Sequence, residues 1–187
     1  MNLVLQLNTL LEVRDRSETL IDPLELEDLG LQGMADASPP KWHLAHTNWF
    51  FETFLLQPHL KGHEPCDPRW AYQFNSYYDS VGDRHPRPQR GLLSRPTVKE
   101  ILRWRSRVND GLEQLLQALD ETCLQLLELG LQHEQQHQEL LLMDLLDGFS
   151  RQPLEPCYHR EADLGSPATS DGLSLIHISE PTRQASI

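Results

Sequence analysis

The sequence is poor in cysteine and in positive charge, and no apolar run in it is long. Its three cysteines, Cys66, Cys123 and Cys157, form no CxxC pair, so the sequence indicates neither a thiolate zinc site nor a disulfide framework. Acidic residues outnumber basic ones by 28 to 16, which argues against a nucleic-acid-binding surface or a polybasic membrane patch. No apolar segment approaches the roughly 20 residues that span a bilayer. We therefore expect a cytoplasmic protein that contacts small molecules or other proteins.

Four segments have the apolar spacing of helices, namely residues 3–20, 39–58, 97–119 and 121–149. Ser38 is predicted to cap the second helix, with Pro39 at its first helical position. Thr97 and Glu100 have the spacing of a capping box at the start of the third helix. Gly148 is predicted to end the fourth helix. Four long helices and no convincing strand pattern predict an all-α fold, a four-helix bundle.

A long loop separates the second and third predicted helices. Residues 58–96 are dense in proline, glycine and aromatic side chains. Long loops inside a compact domain usually carry binding or catalytic residues. We therefore expect residues 58–96 to be ordered and to contribute to a binding site.

The helical pattern stops near the end of the chain. We assign residues 1–155 to the bundle and residues 156–172 to a linker. Residues 173–187, LSLIHISEPTRQASI, resemble the translation of a sequencing adapter and are excluded from fold reasoning. We therefore expect the chain to be a fragment that lacks an authentic downstream region.

His133 and His137 lie four residues apart within a leucine-rich, proline-free segment. On an α-helix this spacing places both imidazoles on one face, about 6 Å apart along the axis. Burying two unpaired imidazoles would cost about 1 to 3 kcal/mol each, and a shared metal ion would offset that cost. The alternative is a pair of core histidines that bond to carbonyls or carboxylates.

The same letters, HEQQH, also fit the HExxH pattern of zinc hydrolases. In that interpretation Glu134 would activate a zinc-bound water. The pattern is short, and the residues that follow it, QELLLMD, do not supply a further histidine ligand. A downstream glutamate ligand, as in other zinc hydrolases of this type, would have to be Glu155 or Glu161, both after the last predicted helix.

A third metal ligand would have to come from another helix. The second predicted helix contains His43 and His46, three residues apart and surrounded by aromatic residues. Their spacing does not decide which of the two faces the other histidine pair. Either could also be a structural histidine in an aromatic core.

Three separate motifs occur in the order expected for one enzyme family: SPPKWHLAHTNWFFETFLL, then FNSYYDSVGDRHPRPQRGLLSRPTV, then LGLQHEQQHQELLLMDLL. Together they resemble the N-terminal DinB-like domain of the ergothioneine-type sulfoxide synthases, over about residues 10–155. The resemblance implies a DinB-like bundle and non-haem Fe(II). In these enzymes dioxygen is used to join a thiol to the imidazole of hercynine.

The resemblance also implies which residues form the site. The metal ligands would be three histidines: His46, His133 and His137. Gln136 would lie in the pocket for the substrate imidazole, and Arg87 and Arg90 would contact the carboxylates of the thiol substrate. Three imidazoles leave roughly half of an octahedral Fe(II) shell open for substrates and dioxygen.

Full-length members of that family carry a second, C-terminal domain that resembles the formylglycine-generating enzyme and completes the site. We find no trace of this domain in the sequence and expect the fragment to be inactive alone. The choice between cysteine and γ-glutamylcysteine, and between the ergothioneine and ovothiol pathways, stays open. A DinB-like zinc or nickel thiol transferase, a zinc hydrolase and a non-catalytic helical binding module are the alternatives.

Overall fold

A computed structural model describes residues 3–78, 80–117 and 121–159 of the chain. Within these ranges there are six α-helices and no strand, which confirms the predicted all-α fold. The helices are α1 (Leu3–Thr19), α2 (Pro40–Phe51), α3 (Gln57–His59), α4 (Trp70–Phe74), α5 (Val98–Leu116) and α6 (Glu121–Ser150). None of the helices in these ranges is both long and apolar enough to cross a membrane.

Helix α2 lies at the centre of the bundle and packs against α5 and α6. Every residue from Trp42 to Glu52 is buried, which agrees with the aromatic load of this segment. The helix continues beyond Phe51 as a π-helical turn, Glu52–Leu56, and then as α3. Helix α6 approaches closely at Gly130, where an added Cβ would lie 2.5 Å from a ring carbon of Phe51.

Two predicted helix ends are wrong and one capping motif is confirmed. Helix α2 begins at Pro40, one residue later than predicted, and Ser38 does not cap it. The backbone N–H of Ser38 instead donates to Asp144 of α6. Helix α6 continues through Gly148 to Ser150. The capping box of Thr97 and Glu100 at the start of α5 is present as predicted.

The long loop between α3 and α5 is folded onto the bundle. Its helix α4 places the rings of Trp70 and Phe74 against Trp104 of α5. The Trp42 indole N–H donates to the backbone carbonyl of Gln73, which ties α4 to α2. A 3₁₀ segment, Arg87–Leu92, follows. The predicted tail of residues 173–187 and most of the predicted linker lie outside the described residues.

A buried ionic network joins α1, α5 and α6. The Glu134 carboxylate accepts hydrogen bonds from Arg14 Nη1 at 2.9 Å, from Ser17 Oγ at 2.6 Å and from Arg105 Nη2. Both arginines and the glutamate are fully buried. Arg14 also donates to the side-chain oxygen of Asn48 on α2, so the network reaches all four long helices.

The network contains two buried arginines and one fully buried carboxylate. Burial by itself raises the pKa of Glu134, but Arg105 and Arg14 bring that pKa below its ordinary value. Burial, and then the neighbouring Arg105, lower the pKa of Arg14 to about 9. Loss of the Glu134 charge would therefore leave two desolvated guanidinium groups without their common partner.

We expect Glu134→Gln to lower the free energy of unfolding by about 3 kcal/mol, because removing one partner of a buried ion pair leaves uncompensated charge. Chemical denaturation followed by circular dichroism measures this loss. Glu139→Gln is the matched control, since Glu139 is exposed on the same helix and its substitution should change little. Equal stability of the two variants would contradict a stabilising role for Glu134.

Candidate metal centre

Three histidines from two helices converge inside the bundle. His46 comes from α2, and His133 and His137 come from successive turns of α6. Each has a ring nitrogen that lies within 4.8 Å of a ring nitrogen of the other two. The Nε2 atoms of His46 and His133 are 3.2 Å apart. This is the one cluster of potential metal ligands among the residues that the structure describes.

The orientation of His46 is fixed from three sides. Its Nδ1 lies 2.6 Å from the backbone carbonyl oxygen of Phe74, to which it donates. Its ring is stacked between the indoles of Trp42, at 4.7 Å between centroids, and Trp49, at 5.4 Å. The loop helix α4 and two aromatic residues of α2 thus direct the Nε2 of His46 toward α6.

A second pair of polar side chains lies behind His137. The Nδ1 atoms of His43 and His137 are 2.9 Å apart. The Nε2 of His43 lies 3.1 Å from a carboxylate oxygen of Asp144 on α6. His43 and Asp144 are both buried. His43 therefore lies next to the cluster and hydrogen-bonds to His137, one of the three candidate ligands. His46 belongs to the cluster itself.

His133 lies between Phe50 and the other two histidines of the cluster. Its ring lies against Phe50, 4.5 Å between centroids, and its buried Nδ1 has no hydrogen-bond partner. The other ring nitrogen faces His46. One buried nitrogen of the cluster is thus without the hydrogen bond that buried polar atoms ordinarily have.

All three imidazoles are held neutral. Burial lowers the pKa of His133 to about 4. Burial and the neighbouring His133 lower the pKa of His46 well below its ordinary value, and burial with His46 and His43 also lowers the pKa of His137. Neutral imidazole is the form that binds metal ions. The cluster is therefore in the protonation state of a ligand set at neutral pH.

Glu134 does not take part in this cluster. Both of its carboxylate oxygens accept hydrogen bonds from the buried network of Arg14, Ser17 and Arg105. A zinc hydrolase of the HExxH type needs this carboxylate free to accept a proton from the metal-bound water. The geometry thus gives no support to the zinc-hydrolase hypothesis, because both carboxylate oxygens of Glu134 are already bonded within the buried network.

The three histidines line a cavity of about 230 Å³. All the site residues predicted from the sequence lie around it, namely His46, Arg87, Arg90, His133, Gln136 and His137. Tyr77 and Tyr78 from the long loop complete one wall. The structure thus brings the predicted residues together, and the roles of Arg87, Arg90 and Gln136 stay predictions.

The two arginines occupy different environments. Arg90 is buried, lies with its guanidinium carbon 3.4 Å from the ring centroid of Trp42, and donates to the hydroxyls of Ser38 and Ser76. Burial, together with the nearby Arg87, lowers its pKa to about 9. Arg87 is half-buried and donates to the phenol oxygen of Tyr77. Arg87 is therefore the more available of the two to a ligand.

A second, more open cavity adjoins the first. It has a volume of about 640 Å³ and a largely apolar wall, to which Phe50, Phe54 and Leu129 contribute. His133 and Gln136 line both cavities. The exposed side chain of Gln136 therefore lies between the two cavities, beside the histidine cluster.

Sequence reasoning missed the contribution of two residues, His43 and Asp144. A signal for Asp144 was present, because an acidic residue lies on the same apolar stripe of α6 as His133 and His137. The sequence predicts His43 as an alternative ligand to His46 or as a structural histidine in an aromatic core. Its actual bond to His137 depends on the crossing of α2 and α6, which the sequence does not specify.

Comparison with known proteins agrees with this architecture. The sequence profile of the DinB superfamily matches residues 9–141, which include most of α1, all of α2 and α5, and the three histidines of the cluster. No curated protein gives a significant match to the chain. Since the profile covers well over half of the sequence, the chain belongs to the DinB superfamily.

Proposed function

We propose that this chain is the metal-binding domain of a non-haem iron sulfoxide synthase that joins a thiol to hercynine with dioxygen. One observation carries the proposal: three neutral imidazoles, two arginines and Gln136 surround one cavity. The three sequence motifs that resemble this enzyme family supply just these residues. In this proposal a second domain completes the site of the intact enzyme.

The donor set fits a divalent transition metal. It combines three imidazoles, and no carboxylate belongs to the cluster in the described part of the chain. Imidazole nitrogens suit iron, zinc, copper and nickel, and a three-histidine set leaves coordination positions open. The Nε2 atoms of His46 and His133, 3.2 Å apart, support a shared ion between the two helices.

The proposed reaction breaks the thiol S–H bond and one imidazole C–H bond and forms a C–S bond. One oxygen atom of dioxygen ends on sulfur and the other leaves as water. A bound iron would activate dioxygen and bring the two substrates together at open coordination positions. The protein residues would orient them, with Arg87 and Arg90 binding the carboxylates of the thiol substrate and Gln136 contacting the imidazole.

The same donor set supports a second candidate, a zinc- or nickel-dependent thiol transferase. Three histidines with an open fourth position are also a known arrangement for catalytic zinc. The two candidates differ in the metal and in the product. Metal analysis and an assay for transfer of a thiol to an electrophile, without consumption of dioxygen, separate them.

We expect the purified protein, reconstituted anaerobically, to bind about one Fe(II) per chain, and we expect His133→Ala to abolish this binding because it removes one of three ligands. Elemental analysis after gel filtration measures the ratio. His59→Ala is the control, since His59 is exposed and outside the cluster.

Iron content unchanged in His133→Ala would contradict the site. Absence of any specific metal in the wild-type protein would favour a non-catalytic binding module. Preferential retention of zinc or nickel over Fe(II), together with thiol-transfer activity, would favour the second candidate.

Metal affinity should depend only weakly on pH. Three imidazoles of ordinary pKa would lose roughly 10³ in affinity between about pH 7.5 and about pH 5.5, because protons compete for each nitrogen. Burial lowers the pKa of all three histidines, and that of His133 to about 4, so protons do not compete in this interval. We expect a change of less than about tenfold.

Titration with Co(II), followed by visible absorption, measures this dependence in a range where circular dichroism shows the protein to be folded. The sign follows from the direction of the pKa shifts: a lowered pKa extends the neutral, metal-binding form to lower pH. A loss approaching 10³ would show that the imidazoles titrate as exposed groups.

The proposed thiol site predicts a ligand-specific effect of Arg87. For the Fe(II)-loaded protein without dioxygen, Arg87→Gln should weaken binding of γ-glutamylcysteine by about five- to tenfold, as expected for loss of one half-exposed charge-assisted bond. Binding of cysteamine, which has no carboxylate, should be unaffected. Equilibrium dialysis measures both affinities.

Arg103→Gln is the matched control for the change in net charge, because Arg103 is exposed on α5. It should alter neither affinity. Equal weakening of both thiols by Arg87→Gln would assign Arg87 a structural role and contradict carboxylate recognition.

A further inference from the structure

The hydrogen bonds behind His137 have a defined direction. The Asp144 carboxylate can only accept, and its Oδ2 already receives the backbone N–H of Ser38 at 2.8 Å. The Nε2 of His43, 3.1 Å from the same oxygen, must therefore carry a proton. In a neutral imidazole whose proton is on Nε2, the Nδ1 carries a lone pair.

This arrangement determines the proton position on His137. His43 Nδ1 accepts, so the proton in the 2.9 Å contact belongs to Nδ1 of His137. A neutral His137 then has an unprotonated Nε2. If Nδ1 of a neutral His43 instead donated to His137, the Nε2 of His43 would carry no proton. Two hydrogen-bond acceptors, this Nε2 and the Asp144 carboxylate oxygen, would then face each other at 3.1 Å without a proton between them.

We propose that Asp144 and His43 are positioning residues, which hold His137 in the Nδ1-protonated tautomer so that its Nε2 is free to bind the metal. The tautomer and orientation of a metal-binding histidine are set by the partner of its other nitrogen. His46 follows the same rule with the Phe74 carbonyl as its acceptor. The inference rests on the metal binding in the proposed function and not on the thiol or dioxygen chemistry.

The chain of contacts also extends to the cavity wall. Ser38, whose N–H donates to Asp144, accepts a hydrogen bond from Arg90 through its hydroxyl at 2.8 Å. Asp144 is thus held between the start of α2 and His43. The carboxylate has no freedom to rotate away without leaving the Ser38 amide unpaired, so the acceptor position presented to His43 is fixed.

The first test uses the metal-free wild-type protein. In ¹⁵N-histidine-labelled protein, the resonances of His137 are identified by their loss in His137→Gln. We expect Nδ1 of His137 to show the shift of a protonated nitrogen and Nε2 that of an unprotonated nitrogen. A protonated Nε2 in the neutral ring would overturn the proposal, even if no substituted variant folds.

The second test measures Co(II) affinity in two variants. His43→Phe keeps the ring size but removes the acceptor, and it should weaken binding about 10- to 100-fold, as for other losses of an outer partner. In His43→Asn the amide oxygen can replace the acceptor at the Nδ1 position, so most of the affinity should return. His63→Phe is the control, because His63 is a largely buried histidine that bonds to Glu52 outside the cluster.

The outcomes separate this inference from the function on which it rests. Failure of the wild-type protein to bind Co(II) would reject the metal site while the NMR result still decides the tautomer. Wild-type affinity in folded His43→Phe would reject the positioning role while leaving the metal site intact. Equal loss in His43→Phe and His43→Asn would also reject it, since the restored acceptor would then have no effect.

Discussion

The burial of ionisable side chains between α2 and α6 is the constraint on which the structure depends. A buried polar group destabilises the fold unless it finds a partner. Helix α6 meets this requirement differently on two sides. Glu134 pairs with two arginines, and the adjacent His133 faces the histidine cluster. One helix thereby stabilises the bundle on one side and supplies ligand nitrogens on the other.

The long loop is coupled to the cluster by aromatic stacking. Arg90 lies over Trp42, Trp42 stacks on His46, and His46 stacks on Trp49. The carbonyl of Phe74, at the end of α4, accepts the remaining proton of His46. The loop thus positions a ligand and forms the cavity wall through the same contacts. A ligand that displaces the Arg90 side chain would disturb the stack that holds His46.

The sequence predicted the helices and the histidine pair of α6 because both depend on local spacing. The HxxxH pair on an apolar stripe requires only the pitch of α6, and the capping box requires only the start of α5. His46, Arg87 and Arg90 were assigned by resemblance, since no local pattern distinguishes His46 from His43. The partners of Glu134 were not predicted, because Arg14 and Arg105 lie 120 and 29 residues away and meet it only through tertiary packing.

The charge distribution around the cavity indicates which ligands it would admit. The chain carries a formal charge of −12, yet the described residues that line the cavity include two arginines and no carboxylate. A divalent metal on three neutral imidazoles would add positive charge without a protein counterion, and Asp144 is separated from it by His43. The site would therefore gain stability from an anionic ligand, and a thiolate that also carries a carboxylate supplies negative charge both at the metal and at the arginines.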